Sequence, residues 1–206
     1  MAIKTNAPIE IKALSIKTII VPVIGESELI VHAWSEKAKK MMLDKQMGAA
    51  KTKRALKDPE QDYRDSMYHD AQGNNAFPST GFKAAIVGAC RMVDGLPMTI
   101  AKIAFHVDGE FTRIYGTPHM REDMVRLETG VADIRYRAAF FPWGANLKIT
   151  YNAGVISDEQ LANLINLAGF GGIGEWRPSA PKSATGSFGR FRVHSSAMPD
   201  ANIFGE

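Results

Sequence analysis

The chain has 206 residues, 45% of them hydrophobic and 23% charged, with a formal charge of +3 and a pI near 8.9. These proportions exclude a disordered chain and supply enough residues for one buried core. The mildly basic balance permits a polyanionic partner without requiring one. The single cysteine, Cys90, excludes an intramolecular disulfide and any multi-cysteine zinc site.

Met1 to Ile11 mixes charge with isolated apolar residues, unlike a secretory signal, and no apolar run approaches the length of a membrane span. A cytoplasmic location, in a bacterial host cell, is the expectation. The first predicted element is a strand over Ile16 to Ile24, rich in β-branched residues, with Pro22 marking an edge or an end. Ser35 then caps a helix whose thin apolar stripe is Ala38, Met41, Met42 and Met47; Gly48 interrupts the segment and Asp58-Pro59 ends it. From Glu36 to Lys57 there are eight basic residues (Lys37, Lys39, Lys40, Lys45, Lys51, Lys53, Arg54, Lys57) against two acids, Glu36 and Asp44. So narrow a stripe on a basic helix predicts an arm projecting from the body. Residues 34–75 read as a thumb-like insertion in a single domain spanning 1–206.

After the polar turn around Gly73-Asn74 comes Phe77-Pro78-Ser79-Thr80-Gly81-Phe82-Lys83, where Ser79 or Thr80 is a natural N-cap. Phe82, Ile86, Ala89, Cys90 and Val93 repeat at helical spacing as far as a stop at Gly95. Met98 to Val107 is a predicted strand, and Met120 to Phe141 one or two more. Leu147, Ile149 and Tyr151 alternate as in a half-buried strand. Ser157 and Gln160 form a capping box, opening a helix whose face is Leu161, Leu164, Ile165 and Ala168. A glycine-rich loop (Gly169, Gly171, Gly172, Gly174, Gly186, Gly189) leads to a last strand over Phe188 to Val193. The fold class is therefore α+β, most economically a ferredoxin-like βαββαβ core with a basic helical insertion and a C-terminal glycine-rich loop.

Two segments suit phosphate. The unpaired first amides and the dipole of the helix opening near Ser79, with Thr80 and Lys83, make a seat for an anion; the same residues equally describe an ordinary helix start after a proline turn. In the glycine-rich loop, Gly171, Gly172 and Gly174 allow consecutive amides to face an anion, and Trp176 and Arg177 add stacking and charge. Such a loop also serves as a plain flexible connection. It matches neither the dinucleotide fingerprint nor the P-loop. The five histidines are scattered without ligand spacing, and no Gly-x-Ser-x-Gly elbow occurs, so neither a metal site nor a cofactor is expected.

Taken together, three stretches resemble the RAMP superfamily, and within it the CRISPR effector backbone subunits that bind guide RNA. Phe77 to Ala85 is similar to the family's Pro-Gly-Ser-Ser-x-Lys-Gly stretch. Glu122 to Tyr151, with Arg126, Gly130, Ala132 and Arg135, resembles its middle strand region. Gly171-Gly172-Ile173-Gly174 through Gly186 to Phe191 looks like its glycine-rich loop and closing strand. The likeness spans roughly Ile16 to Val193 in the family's order. It implies a modified RNA-recognition-type fold, a basic helical thumb, and head-to-tail polymerisation along an RNA strand. The sequence departs from the pattern where Ser79 follows Pro78 in place of glycine and where Ala84 stands in place of glycine. The Gly-Gly-x-Asp-like loop of the RNA-cutting members is absent, so no nuclease activity is carried over, and the short chain suggests a stand-alone relative from a phage or mobile element.

The expectation is a non-catalytic protein that oligomerises along single-stranded RNA or DNA. The residues expected to hold the strand are Lys37, Lys39, Lys40, Lys51, Lys53, Arg54, Ser79, Thr80, Lys83, Arg126, Arg135, Gly171, Gly172, Gly174, Trp176 and Arg177. The alternatives are an endoribonuclease using Asp62, Asp65 or His32, and a mimic that blocks assembly of CRISPR effector subunits.

Overall fold

A computed structural model describes residues 13–48, 56–126, 129–181 and 184–195. Lys51, Lys53 and Arg54 lie outside them, as does the side chain of Lys37. The described chain is α+β, with antiparallel sheets and five α-helices among its described residues.

The large sheet is built around β1 (Ile16–Gly25) and β9 (Gly144–Asn152), which pair over their whole length, Ile16 opposite Asn152 and Ile24 opposite Gly144. On its other edge β1 takes β10 (Phe191–Val193). The free edge of β9 is shared by β5 (Phe105–Val107) and β6 (Phe111–Tyr115). The sheet continues from β6 through β4 (Asn75–Pro78) to β3 (Tyr68–His69). A second sheet has β8 (Ala132–Phe140) at its centre, between β2 (Leu29–Ile30) and β7 (Pro118–Arg126).

The period-two alternation in β1 and β9 puts Val21, Val23, Leu147, Ile149 and Tyr151 on one face, where α3 (Ser79–Ala89) and α5 (Asp158–Gly171) cover them. Phe82 and Ile86 of α3 and Leu161, Leu164 and Ile165 of α5 complete that core. The opposite face leaves Ile16 and Ile20 exposed.

α5 starts as its sequence predicts: Ser157 accepts from the amide of Gln160, whose side chain accepts from the amide of Ser157. α1 (Glu36–Gln46) is capped by Ser35, and none of its described side chains is buried, Met41 and Met42 included. α2 (Pro59–Asp65) lies against β8, where the Ser66 hydroxyl accepts from the amide of Ala138.

Four expectations are corrected. Residues 98–107 are not a continuous strand: α4 (Met98–Ala104) precedes the three-residue β5, because Ala101 and Ala104 on one side of a helical turn fill a buried space. The helix read as running to Gly95 ends at Ala89 and gives way to a 3-10 turn over Cys90–Met92. At the start of α3 the N-cap position is Pro78, with no side-chain cap from Ser79 or Thr80. The closing strand is Phe191–Val193, shorter than expected, because Phe188, Gly189 and Arg190 make their backbone bonds with Trp176, Glu28 and Glu26 instead.

Candidate nucleic-acid interface

Parts of the two segments singled out for phosphate, Phe77 and Gly81 of the first and Gly171 to Glu175 with Arg177 of the second, line one cleft of about 460 Å³, whereas Ser79, Thr80 and Lys83 do not line it. One wall is α3, through Gly81, Ala84, Ala85 and Gly88, with Arg91 beyond its end; the other is Gly171, Gly172, Ile173, Gly174, Glu175 and Arg177. His32 and Tyr68 close one end, the Tyr68 hydroxyl donating to the carbonyl of His32 at 3.1 Å. Small residues on α3 keep that wall low. A Cβ added to Gly88 meets nothing within 4 Å, whereas one on Gly81 would stand 2.6 Å from the Phe77 ring.

The glycine-rich loop does not present a row of free amides. Gly172 donates to Ala168, Ile173 to Gly189 and Glu175 to Ile30, all main-chain bonds of 2.9–3.0 Å. Its glycines serve close backbone approach. Gly189, at φ +67°, lies so near Ile173 that a Cβ would collide with the Ile173 carbonyl, and a Cβ on Gly174, at φ +76°, would sit 2.5 Å from the Ile30 carbonyl. Three strands of chain (28–30, 172–176, 188–190) are thereby stitched together, leaving side chains to face the cleft.

Trp176 is likewise committed inside the fold. The guanidinium of Arg137 lies 4.6 Å from its ring centroid, and that of Arg121 lies 4.9 Å from the ring of Phe188 beside it. These arginines belong to a charge network: Arg137 pairs with buried Asp123 at 2.8 Å and with Glu175 at 3.4 Å, and Arg121 pairs with Asp123 and Glu28. The network clamps the loop to the β7–β8 hairpin, so Trp176 offers little open face for an unpaired base.

The remaining expected residues scatter. Ser79 is buried, its hydroxyl 2.9 Å from that of Thr112 and its amide bonded to Glu110, so neither faces a strand. Thr80 is exposed at the head of α3, and the Lys83 ammonium is 3.0 Å from His106 Nδ1. The Arg177 guanidinium donates to the Gly174 carbonyl at 2.8 Å while lining the cleft. Lys39 pairs with Glu36 and Lys40 is exposed; neither lines this cleft. Arg126 stands exposed at the far end of β7.

Arg135 lines a second cleft, of about 360 Å³, at the root of α1. His32, Trp34, Ser35, Ala38, Lys57, Asp62, Asp65, Asp133 and Tyr136 share its walls, so the three residues weighed for acid–base work meet in one place. His32 is held below its usual pKa chiefly by desolvation; Glu175 opposes this, while Arg135 and Arg137 reinforce it. Among the described residues no group of three or more His, Cys, Asp or Glu is placed to hold a metal. No described helix is long and apolar enough to cross a membrane.

Arg91, Tyr68 and Trp34 were not expected at the site, and His32 was weighed only for acid–base work. Arg91 follows the α3 periodicity and could have been placed on the α3 flank. The other three reach the clefts only through the tertiary fold.

No protein-family model matches the sequence, and no curated protein matches it. Among solved structures, Cmr6 from Pyrococcus furiosus aligns at a TM-score of 0.43 and 9% identity, over 88% of this chain and 100% of that one, a likeness too slight to define the fold.

Proposed function

We propose that this protein binds single-stranded nucleic acid in the cleft between α3 and the glycine-rich loop, without cutting it, and that copies line up head-to-tail along the strand. The observation that carries the reading is the meeting of two sequence-distant motif segments, 77–85 and 171–177, across one groove flanked by Arg91 and Arg177. Guanidinium groups at a groove with low, small-residue walls suit a sugar–phosphate backbone approaching closely. The contacts differ from those expected of bare amides: here side chains meet the phosphates and the glycines shape the groove.

The ferredoxin-like, RAMP-type reading of the core is supported by the order β10-β1-β9 with β5 and β6 beyond, and by α3 and α5 together on one face. That likeness, with the motif order in the sequence, suggests RNA as the first ligand to test and CRISPR effector subunits as candidate partners.

Filter binding of the full chain to RNA and DNA oligonucleotides at rising salt tests the proposal. Phosphate contacts predict affinity that falls steeply with salt and depends more on length than on sequence. A salt-independent response, or no binding at low salt, overturns it.

A second reading, an endoribonuclease, is favoured by one observation: His32, Asp62 and Asp65 line the same cleft. Labelled RNA incubated with and without divalent metal separates the two, because discrete products lost on Asp65→Ala would replace the binding-only account.

A further inference from the structure

We propose that the second cleft is a base pocket on the same path, in which Trp34 stacks one unpaired base and Asp62 and Asp65 accept hydrogen bonds from its amino edge. This rests on the nucleic-acid reading above and adds to it a preference among bases.

His32 lines both clefts, so the groove beside α3 and the space at the root of α1 adjoin at this residue. Trp34 stands just beyond. Its neighbours are pinned: the amide of Ala33 donates to the Ser66 carbonyl at 2.8 Å, and the Ser35 hydroxyl accepts from the amide of Ala38 at 3.2 Å. Trp34, between those anchors, is nevertheless 58% exposed. The other two tryptophans are used internally, Trp143 fully buried with its ring N–H on the Ser27 carbonyl and Trp176 under Arg137. A backbone-anchored, open indole on a cleft wall is the arrangement that stacks an unpaired base.

The charge of the two clefts differs in kind. The first has Arg91 and Arg177, and its one carboxylate, Glu175, is turned onto Arg137. In the second, Lys57 is engaged by Asp133 at 2.9 Å and by the Ile134 carbonyl, Arg135 pairs with the same Asp133 at 3.9 Å, and Asp62 and Asp65 remain on the wall. Asp65 accepts from the Gln61 side chain through one oxygen, which leaves its other lone pairs available. Carboxylates repel phosphate but accept from exocyclic amino groups, cytosine N4 above all. The strand's phosphates therefore belong to the first cleft, and a base with an amino group to the second. Uracil and thymine, which present a carbonyl where cytosine has its amino group, fit it worse.

Fluorescence anisotropy of the full chain with labelled oligocytidine and oligouridine, as RNA and as the DNA equivalents, tests this. The expected result is about fivefold or more tighter binding of the cytosine oligomer. The ratio collapses in Asp62→Asn/Asp65→Asn, because an asparagine amide can donate to a uracil carbonyl as well as accept from a cytosine amino group. Trp34→Ala weakens cytosine binding about tenfold, the order of one base–aromatic stack, whereas Trp34→Phe keeps most of it. Thermal unfolding of each variant checks that the fold is intact, as expected for an exposed side chain. Equal affinity for the two oligomers, or full affinity in Trp34→Ala, overturns the base pocket and leaves the groove standing. Failure to bind any oligomer overturns the groove itself.

Discussion

The guanidinium of Arg137 is buried between the ring of Trp176, 4.6 Å away, and the carboxylate of Asp123, 2.8 Å away. Both charges have left water, and each depends on the other. Removing Asp123 leaves buried Arg137 only its longer contact with Glu175, at 3.4 Å, so Asp123→Ala should cost about 3 kcal/mol. Chemical denaturation reads this. A loss under about 1 kcal/mol would mean that water reaches Arg137. Trp176→Leu should also destabilise, by less, and should loosen the glycine-rich loop in hydrogen exchange.

Gly88 offers a way to address the cleft without disturbing its walls, because a Cβ there meets nothing within 4 Å. Gly88→Ala should raise stability by about 0.5–1 kcal/mol, the helical difference between the two residues. Gly88→Glu should fold normally yet bind oligonucleotide at least tenfold more weakly, since it sets a carboxylate in the path of phosphates. Unchanged binding by Gly88→Glu would place the strand elsewhere.

Gly189 should tolerate no side chain. Gly189→Ala meets both a left-handed backbone, costing about 1–2 kcal/mol, and a collision with the Ile173 carbonyl. The expected readout is a marked fall in melting temperature. Gly48→Ala, also at positive φ but in open space, should show the conformational cost alone.

His32 should be neutral at physiological pH. Its folded pKa is lowered from 6.5, chiefly by desolvation. As pH falls through 6.5 the unfolded chain takes up the proton first, so stability declines from there downward and levels off below the folded pKa. Above 6.5 His32 carries no such penalty. An NMR titration should give a midpoint below 6.5, and His32→Asn should flatten the acid side of the stability profile. A midpoint above 6.5 would contradict the geometry described for the cleft junction.

What could be read along the chain were the features whose causes are local. Ser157 and Gln160 satisfy each other's amides within four residues, so α5 opens where the sequence places it. The alternation in β1 and β9 reports one buried face and needs no knowledge of the partner. Ser35 and the sparse apolar stripe foretold an α1 none of whose described side chains is buried. Residues 98–104 misled because Thr99, Ile100 and Ile103 favour a strand, and only the space receiving Ala101 and Ala104 selects the helix.

The fate of individual groups at the site was decided by contacts between distant segments. Ser79 and Trp176 carry the right chemistry for a polyanion, but Thr112 and Arg137, 33 and 39 positions away in sequence, claim them first. Trp34, with no such claimant among the described residues, is left open. A sequence states which groups a chain possesses and which neighbours along it can satisfy them locally. Which of those groups remain available to a ligand depends on what the fold brings against each one, and that is a property of the tertiary structure alone.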